Sequence, residues 1–170
     1  MPKLLITGSS GFVGAYLLEA ALAAWDVHAV YFEHRPHRSE GVTAHAADFR
    51  RESDIEHLLE RVQPDAVIHA AAMSNIDACE KQPDQAFRLH ATAAEVLAEL
   101  SVQYGFRLVF VSSDMVFDGD KGGYSETDRA RPLNIYGRSK ITAEKFVRAV
   151  SQNWVIARAS LVYGPTLNRA

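Results

Sequence analysis

The sequence predicts an α/β domain on a doubly wound parallel sheet. Three observations carry this: short apolar runs alternate with longer amphipathic stretches, a glycine-spaced turn follows the first run, and the runs number six. The chain of 170 residues, 48% hydrophobic with 10 Gly and 6 Pro, is long enough to bury one sizeable core, so one domain over residues 1–170 is the default.

Residues 3–7 form the first apolar run and residues 12–24 have helical composition, which makes the opening unit strand, tight loop, helix. A second strand is expected over 27–32, then a polar His, Arg and Pro loop and a short strand near 42–47. Residues 51–62 read as a helix, with Ile55, Leu58, Leu59 and Val62 on one face. The fourth strand falls at 65–69. A long helix is expected over 83–104, where Ala86, Phe87, Ala93, Ala94, Leu97, Leu100 and Tyr104 recur at helical spacing. Residues 108–112 lack alternation, as a strand covered on both faces does. A Gly, Asp and Pro loop over 118–133, a helix over 137–150 and a strand over 154–158 complete the series of the Rossmann fold.

With 18 basic against 21 acidic residues and a net charge of −3, the chain lacks the electrostatics of a nucleic-acid binder. Small-molecule chemistry is the expectation. The single Cys79 cannot form an intrachain disulfide and is expected to be an inert small residue. Neither a basic leader nor a long apolar run opens the chain, which reads as cytoplasmic with no membrane partner.

Gly8-Ser9-Ser10-Gly11-Phe12-Val13-Gly14 sits between a strand and a helix, where glycines let backbone N–H groups approach phosphate and the helix end adds partial positive charge. The spacing is one residue longer in its first gap than the usual dinucleotide fingerprint, and an ordinary strand-to-helix turn is the competing reading. Its place at the head of a βαβ series favours a dinucleotide cradle of Gly8, Ser10, Gly11, Phe12, Val13 and Gly14. Beyond the second strand, Glu33 lies at a distance that favours a free ribose 2′-hydroxyl, yet Tyr31 and Phe32 occupy the strand-end positions, and the following Arg35 and Arg38 favour a 2′-phosphate. The arginines tilt the reading to NADP(H) over NAD(H). His34 and His37 lack a third ligand nearby, and Asp114, Asp118 and Asp120 read as turn formers, so no metal site is expected.

Tyr136 and Lys140 lie four residues apart near the start of one helix and share a face; Ser113 lies at the carboxyl end of the fifth strand, the edge where such sheets bind ligands. A phenol is a poor acid or base at neutral pH unless a neighbouring ammonium stabilises its phenolate. Lys140 can do that and hold a ribose, Ser113 can bond a substrate oxygen, and Tyr136 can pass the proton. Alone, a Tyr and Lys at this spacing are more often a surface pair.

The runs 7–14 (TGSSGFVG), 112–119 (SSDMVFDG) and 136–140 (YGRSK) resemble the extended short-chain dehydrogenase/reductase family, within which the likeness runs to dTDP-4-dehydrorhamnose reductases and the regulatory β subunit of methionine adenosyltransferase. The resemblance spans essentially the whole chain, including Tyr124, Glu126, Pro132 and Leu133. It implies an NAD(P)-dependent oxidoreductase of a nucleotide-sugar ketone, with Ser113, Tyr136 and Lys140 catalytic, Asp48 and Phe49 near the adenine, and Ala70, Ala71 and Ala72 along the cofactor. His90 stands where the family has an Asn that organises a proton relay, and Met115 where Tyr is common. His69 and His90 are read first as histidines satisfied by backbone or water. Relatives continue past Tyr163-Gly164-Pro165 into a C-terminal substrate domain, absent or truncated here, and a homodimer through two long helices is implied. A noncatalytic dinucleotide-binding regulatory module, or an epimerase or dehydratase of the same family, are the alternatives.

Overall fold

The structure, a computed structural model, describes residues 1–38, 40–165 and 167. Six parallel strands lie in the order β3-β2-β1-β4-β5-β6, with β1 (Lys3–Thr7), β2 (Asp26–Tyr31), β3 (Val42–Ala46), β4 (Ala66–His69), β5 (Arg107–Ser113) and β6 (Trp154–Ala159). The order reverses between β1 and β4, so their carboxyl ends open a crevice.

Both faces of the sheet are covered. Leu4 and Ile6 of β1 pack with Leu18 and Ala21 of α1 (Phe12–Ala21), while Leu5 points to the larger core with Leu58 and Leu59 of α2 (Glu52–Val62) and Leu97 of α5 (Ala93–Tyr104). This double burial explains why β1 reads as an unbroken apolar run. On the far side α6 (Ile135–Val150) contributes Ala143 and Val147.

Three elements depart from expectation. The first helix stops at Ala21, where the Ala24 and Trp25 amides bond the Ala21 carbonyl and turn the chain into β2. A helix unforeseen from the sequence, α3 (Ile76–Lys81), is capped by the Asn75 side chain accepting from the Ala78 amide at 2.9 Å. The helix expected over 83–104 is not continuous: α4 (Pro83–Phe87) passes through a π turn (Arg88–Thr92) before α5. The turn admits one extra residue and rotates His90 inward, where it is fully buried.

Candidate functional site

The loop after β1 is built to bring backbone, not side chains, to the crevice. Gly8 has φ +67°, and a Cβ there would lie 2.7 Å from Ala71 Cα; a Cβ on Gly14 would lie 2.2 Å from the Gly8 carbonyl oxygen. A Cβ on Gly11 would meet only the Gly8 oxygen, at 3.2 Å, and would otherwise project into open space. Ser9 pins the loop to β2 through its hydroxyl, which donates to the Val30 carbonyl at 2.7 Å. The Ala15 amide is the first to reach a carbonyl four residues back, on Gly11, so the amides of Phe12, Val13 and Gly14 point out of the helix end. Among the described residues, the first turn of α1 carries no acidic side chain and its N-cap, Gly11, offers no side chain to compete for them.

Thr7 fixes the opposite wall. Its Oγ1 accepts from the amides of Ala70 (3.1 Å) and Ala71 (3.0 Å), so its own proton goes to His69 Nδ1 at 2.8 Å.

A cavity of about 490 Å³ joins these walls. Gly8, Ser10, Gly11, Phe12, Val13 and Gly14 line its middle, with Ala70, Ala71 and Ala72 opposite; Asp48 and Phe49 line one end, and Ser113, Tyr136 and Lys140 the other. Arg35 stands outside this lining, exposed, with its guanidinium 5.7 Å from the centre of the Tyr31 ring, which does line the cavity. Arg38 is held by Glu19 at 2.9 Å. Sequence reasoning missed Arg50, which also lines the cavity, lies 4.4 Å over the Phe32 ring and is gripped by Asp48 through Nε at 2.7 Å and Nη2 at 2.9 Å. Burial pushes the Asp48 carboxyl up, but the Arg50 hydrogen bonds and charge hold it below its ordinary value.

At the other end, α6 begins at Ile135, two residues earlier than its glycine suggests. Asn134 caps it by accepting from the Gly137 amide at 2.8 Å. A Cβ on Gly137 would fall 2.3 Å from the Met115 carbonyl oxygen, so this glycine lets the first turn seat against the residues after β5. That contact brings Tyr136 beside Ser113. The Ser113 hydroxyl accepts from the Met115 amide at 3.2 Å and donates to Asp114 Oδ1 at 3.1 Å. Lys140 is almost completely buried, its Nζ donating to the Val111 carbonyl at 2.9 Å and lying 5.9 Å from the centre of the Tyr136 ring.

Burial lowers the Lys140 ammonium to a pKa of about 7, against smaller opposing effects of Cys79 and Glu144. Burial also raises the Tyr136 phenol; the neighbouring Ser113 hydroxyl pulls it down, and Cys79 and Asp114 push it up. The phenol is therefore held protonated at neutral pH, the form that gives a proton to a developing alkoxide.

His90 lies beneath this end. Its Nε2 accepts from the Met73 amide at 2.8 Å, its Nδ1 is 2.7 Å from Ser139 Oγ, and its ring meets that of Tyr136 edge-on at 5.4 Å. Cys79 is buried, donating to the Met73 carbonyl at 3.1 Å. Among the described residues, no group of three or more His, Cys, Asp or Glu is placed to hold a metal, and no helix is long and apolar enough to cross a membrane.

Glycine loop, open helix end and a Ser, Tyr and Lys at one crevice of a six-stranded parallel sheet define a Rossmann domain of the short-chain dehydrogenase/reductase class. The chain belongs to the family described as RmlD substrate binding domain, which matches residues 2–169. It is 34% identical over 163 residues to methionine adenosyltransferase 2 subunit beta of Rattus norvegicus, covering 95% of this chain and 47% of that protein. A crystal structure of a hypothetical dTDP-4-dehydrorhamnose reductase from Sulfolobus tokodaii superposes with a TM-score of 0.84 at 32% identity, covering 93% of this chain and 55% of that one. The dTDP-4-dehydrorhamnose reductase of Bacillus anthracis, in complex with NADP, gives 0.78 at 31% identity, with 95% and 54% covered. The chain thus spans about half the length of these relatives.

Proposed function

We propose that the chain forms the cofactor-binding and proton-donating half of an NADP(H)-dependent reductase of a nucleotide-sugar ketone. One observation carries this reading: Ser113, Tyr136 and Lys140 line the end of the same cavity whose middle is the open N-terminus of α1. The crevice fits a dinucleotide, because three unpartnered amides and a glycine without a Cβ face the place where a pyrophosphate needs donors.

Gly11, Phe12, Val13 and Gly14 hold the pyrophosphate, Asp48 and Phe49 flank the adenine, and Ala70, Ala71 and Ala72 line the run between the two ends. Tyr31 stands at the end of β2 where a carboxylate would select a free 2′-hydroxyl, and Arg35 above it supplies charge for a 2′-phosphate. The bound cofactor supplies the hydride. Ser113 donates to the ketone oxygen, Tyr136 delivers the proton to it, and Lys140 holds the ribose beside them.

The test is reduction of a 4-keto sugar nucleotide followed by loss of NADPH absorbance. Tyr136→Phe abolishes turnover and leaves NADPH affinity within about threefold, as expected for an interaction made only in the transition state. Arg35→Ala lowers the preference for NADPH over NADH about tenfold, the worth of one charged hydrogen bond. No turnover by the intact protein on any such ketone overturns the proposal. The 34% identity to the methionine adenosyltransferase subunit favours a second reading, a noncatalytic dinucleotide-binding regulatory module. Tight NADPH binding with no turnover, together with capture of a stable protein partner, supports that one.

A further inference from the structure

The π turn at Arg88–Thr92 places His90 where its two nitrogens link different parts of the cavity wall. The Met73 amide donates to Nε2 at 2.8 Å, so this nitrogen carries its lone pair. A neutral imidazole then has its proton on Nδ1, which faces Ser139 Oγ at 2.7 Å. Ser139 in turn donates to the Tyr136 carbonyl at 2.7 Å. Donors and acceptors run in one direction, from Met73 through His90 and Ser139 to Tyr136, and each proton has a place. Both imidazole nitrogens are spent inside the wall. A second proton on the ring would have to displace the Met73 amide, in a site that also holds the Lys140 cation.

We propose that His90 is a positioning residue: a neutral imidazole strut, protonated on Nδ1, that sets the cofactor-lining loop at Met73 against the turn of α6 bearing Tyr136 and takes no part in proton transfer. Met73 and Tyr136 line the same cavity, so the strut fixes its width at the reacting end. The edge-on contact of the two rings, at 83°, holds the Tyr136 side chain on the same support. Here the proposal rests on the reading of Tyr136 as proton donor. The strut itself does not.

The test separates a strut from a relay by using a side chain that cannot ionise. The glutamine amide presents one acceptor and one donor about as far apart as the imidazole nitrogens, so His90→Gln restores both links and keeps kcat within about threefold of the parent, whereas His90→Ala lowers kcat about 10- to 100-fold. In both variants the midpoints of the pH profile stay in place, because no ionising group of the reaction has been removed. If His90→Ala does not fold, Ser139→Ala, which cuts the link at the Tyr136 end by removing one hydroxyl, carries the same expectation. A His90→Gln variant as slow as His90→Ala, or a His90→Ala variant as fast as the parent, overturns the proposal.

Two further readouts need no turnover. Heteronuclear NMR of the imidazole nitrogens should show His90 protonated on Nδ1, and Met73 amide exchange should quicken at least about tenfold in His90→Ala but not in His90→Gln. Protonation on Nε2, a titration near the ordinary histidine value, or unchanged Met73 exchange overturns the strut. Wild-type protein that reduces no ketone overturns the reductase reading alone, since these two readouts still decide the strut.

Discussion

Lys140 donates its Nζ proton to the backbone carbonyl of Val111 at 2.9 Å, from a position almost completely out of solvent. One carbonyl does not replace the hydration of an ammonium, which is why its pKa falls to about 7. Below that value the native and unfolded chains both carry the charge, and the native state bears the full burial cost. Between about 7 and the ordinary lysine value of 10.5 only the unfolded chain keeps the proton, so stability from this residue rises with pH across that window. Lys140→Met should therefore stabilise the protein by roughly 1–4 kcal/mol at pH 6 while abolishing turnover, and the gain should shrink at pH 9. Urea denaturation at the two pH values checks this; a Met variant less stable than the parent at pH 6 counts against it.

The glycines of the first loop separate a folding requirement from a binding one. A Cβ on Gly14 would sit 2.2 Å from the Gly8 oxygen and 2.7 Å from Ser9 Cα, both backbone atoms that cannot swing aside. Gly14→Ala should cost about 3 kcal/mol or more in thermal unfolding. Gly11→Ala meets one atom at 3.2 Å and should cost under about 1 kcal/mol, yet under the proposed cofactor placement its methyl would meet the pyrophosphate and should weaken NADPH binding by about tenfold or more. Equal effects of the two variants on stability would contradict this division.

How far the sequence could be read follows from which contacts are local. The glycine loop and the Tyr136 and Lys140 pair declare themselves because spacing along one element already fixes their geometry. Asn75 at the head of α3 was an available cap signal, although the six-residue helix after it is too short to show periodicity. The π turn has no such signature, since the apolar stripe continues on either side and what holds His90 inward comes from Met73 and Ser139, 17 and 49 residues away. Arg35 and Arg50 exchange prominence for a similar reason: Asp48 and Phe32 draw the Arg50 guanidinium to the cavity, while the loop after β2 carries Arg35 outside it.

His69 and His90 make the fold sensitive to acid. Burial is the main cause in both, with the Lys140 charge adding to it, and their pKa values fall to about 3 and about 2. Unfolded imidazoles take up protons near 6.5 while the native ones remain neutral, so the stability these residues confer is complete above 6.5 and is lost as pH falls toward about 3. The urea midpoint should drop steeply between pH 7 and pH 5, and His90→Gln should show a shallower drop. The two rings also hold opposite tautomers: Thr7 donates to His69 Nδ1, which leaves the His69 proton on Nε2, whereas Met73 places that of His90 on Nδ1.

Glu144, one turn beyond Lys140 on α6, ties that helix to both neighbouring strands. Its carboxylate accepts from Ser112 Oγ of β5 at 2.6 Å and from Arg158 of β6 through Nε at 2.8 Å and Nη2 at 2.6 Å. Burial raises this carboxyl, but the hydrogen bonds and charge of Arg158 bring it below its ordinary value, so the pair is ionised at neutral pH. Glu144→Leu leaves the largely buried Arg158 guanidinium without its carboxylate and should cost about 3–5 kcal/mol, whereas Arg158→Met leaves Glu144 with Ser112 and the Arg148 guanidinium at 3.6 Å and should cost less, about 1–3 kcal/mol; the double variant should cost less than the sum of the two. Additive losses in a double-mutant cycle would show that the two side chains act separately. Since α6 also carries Tyr136, the single variants should also lower kcat.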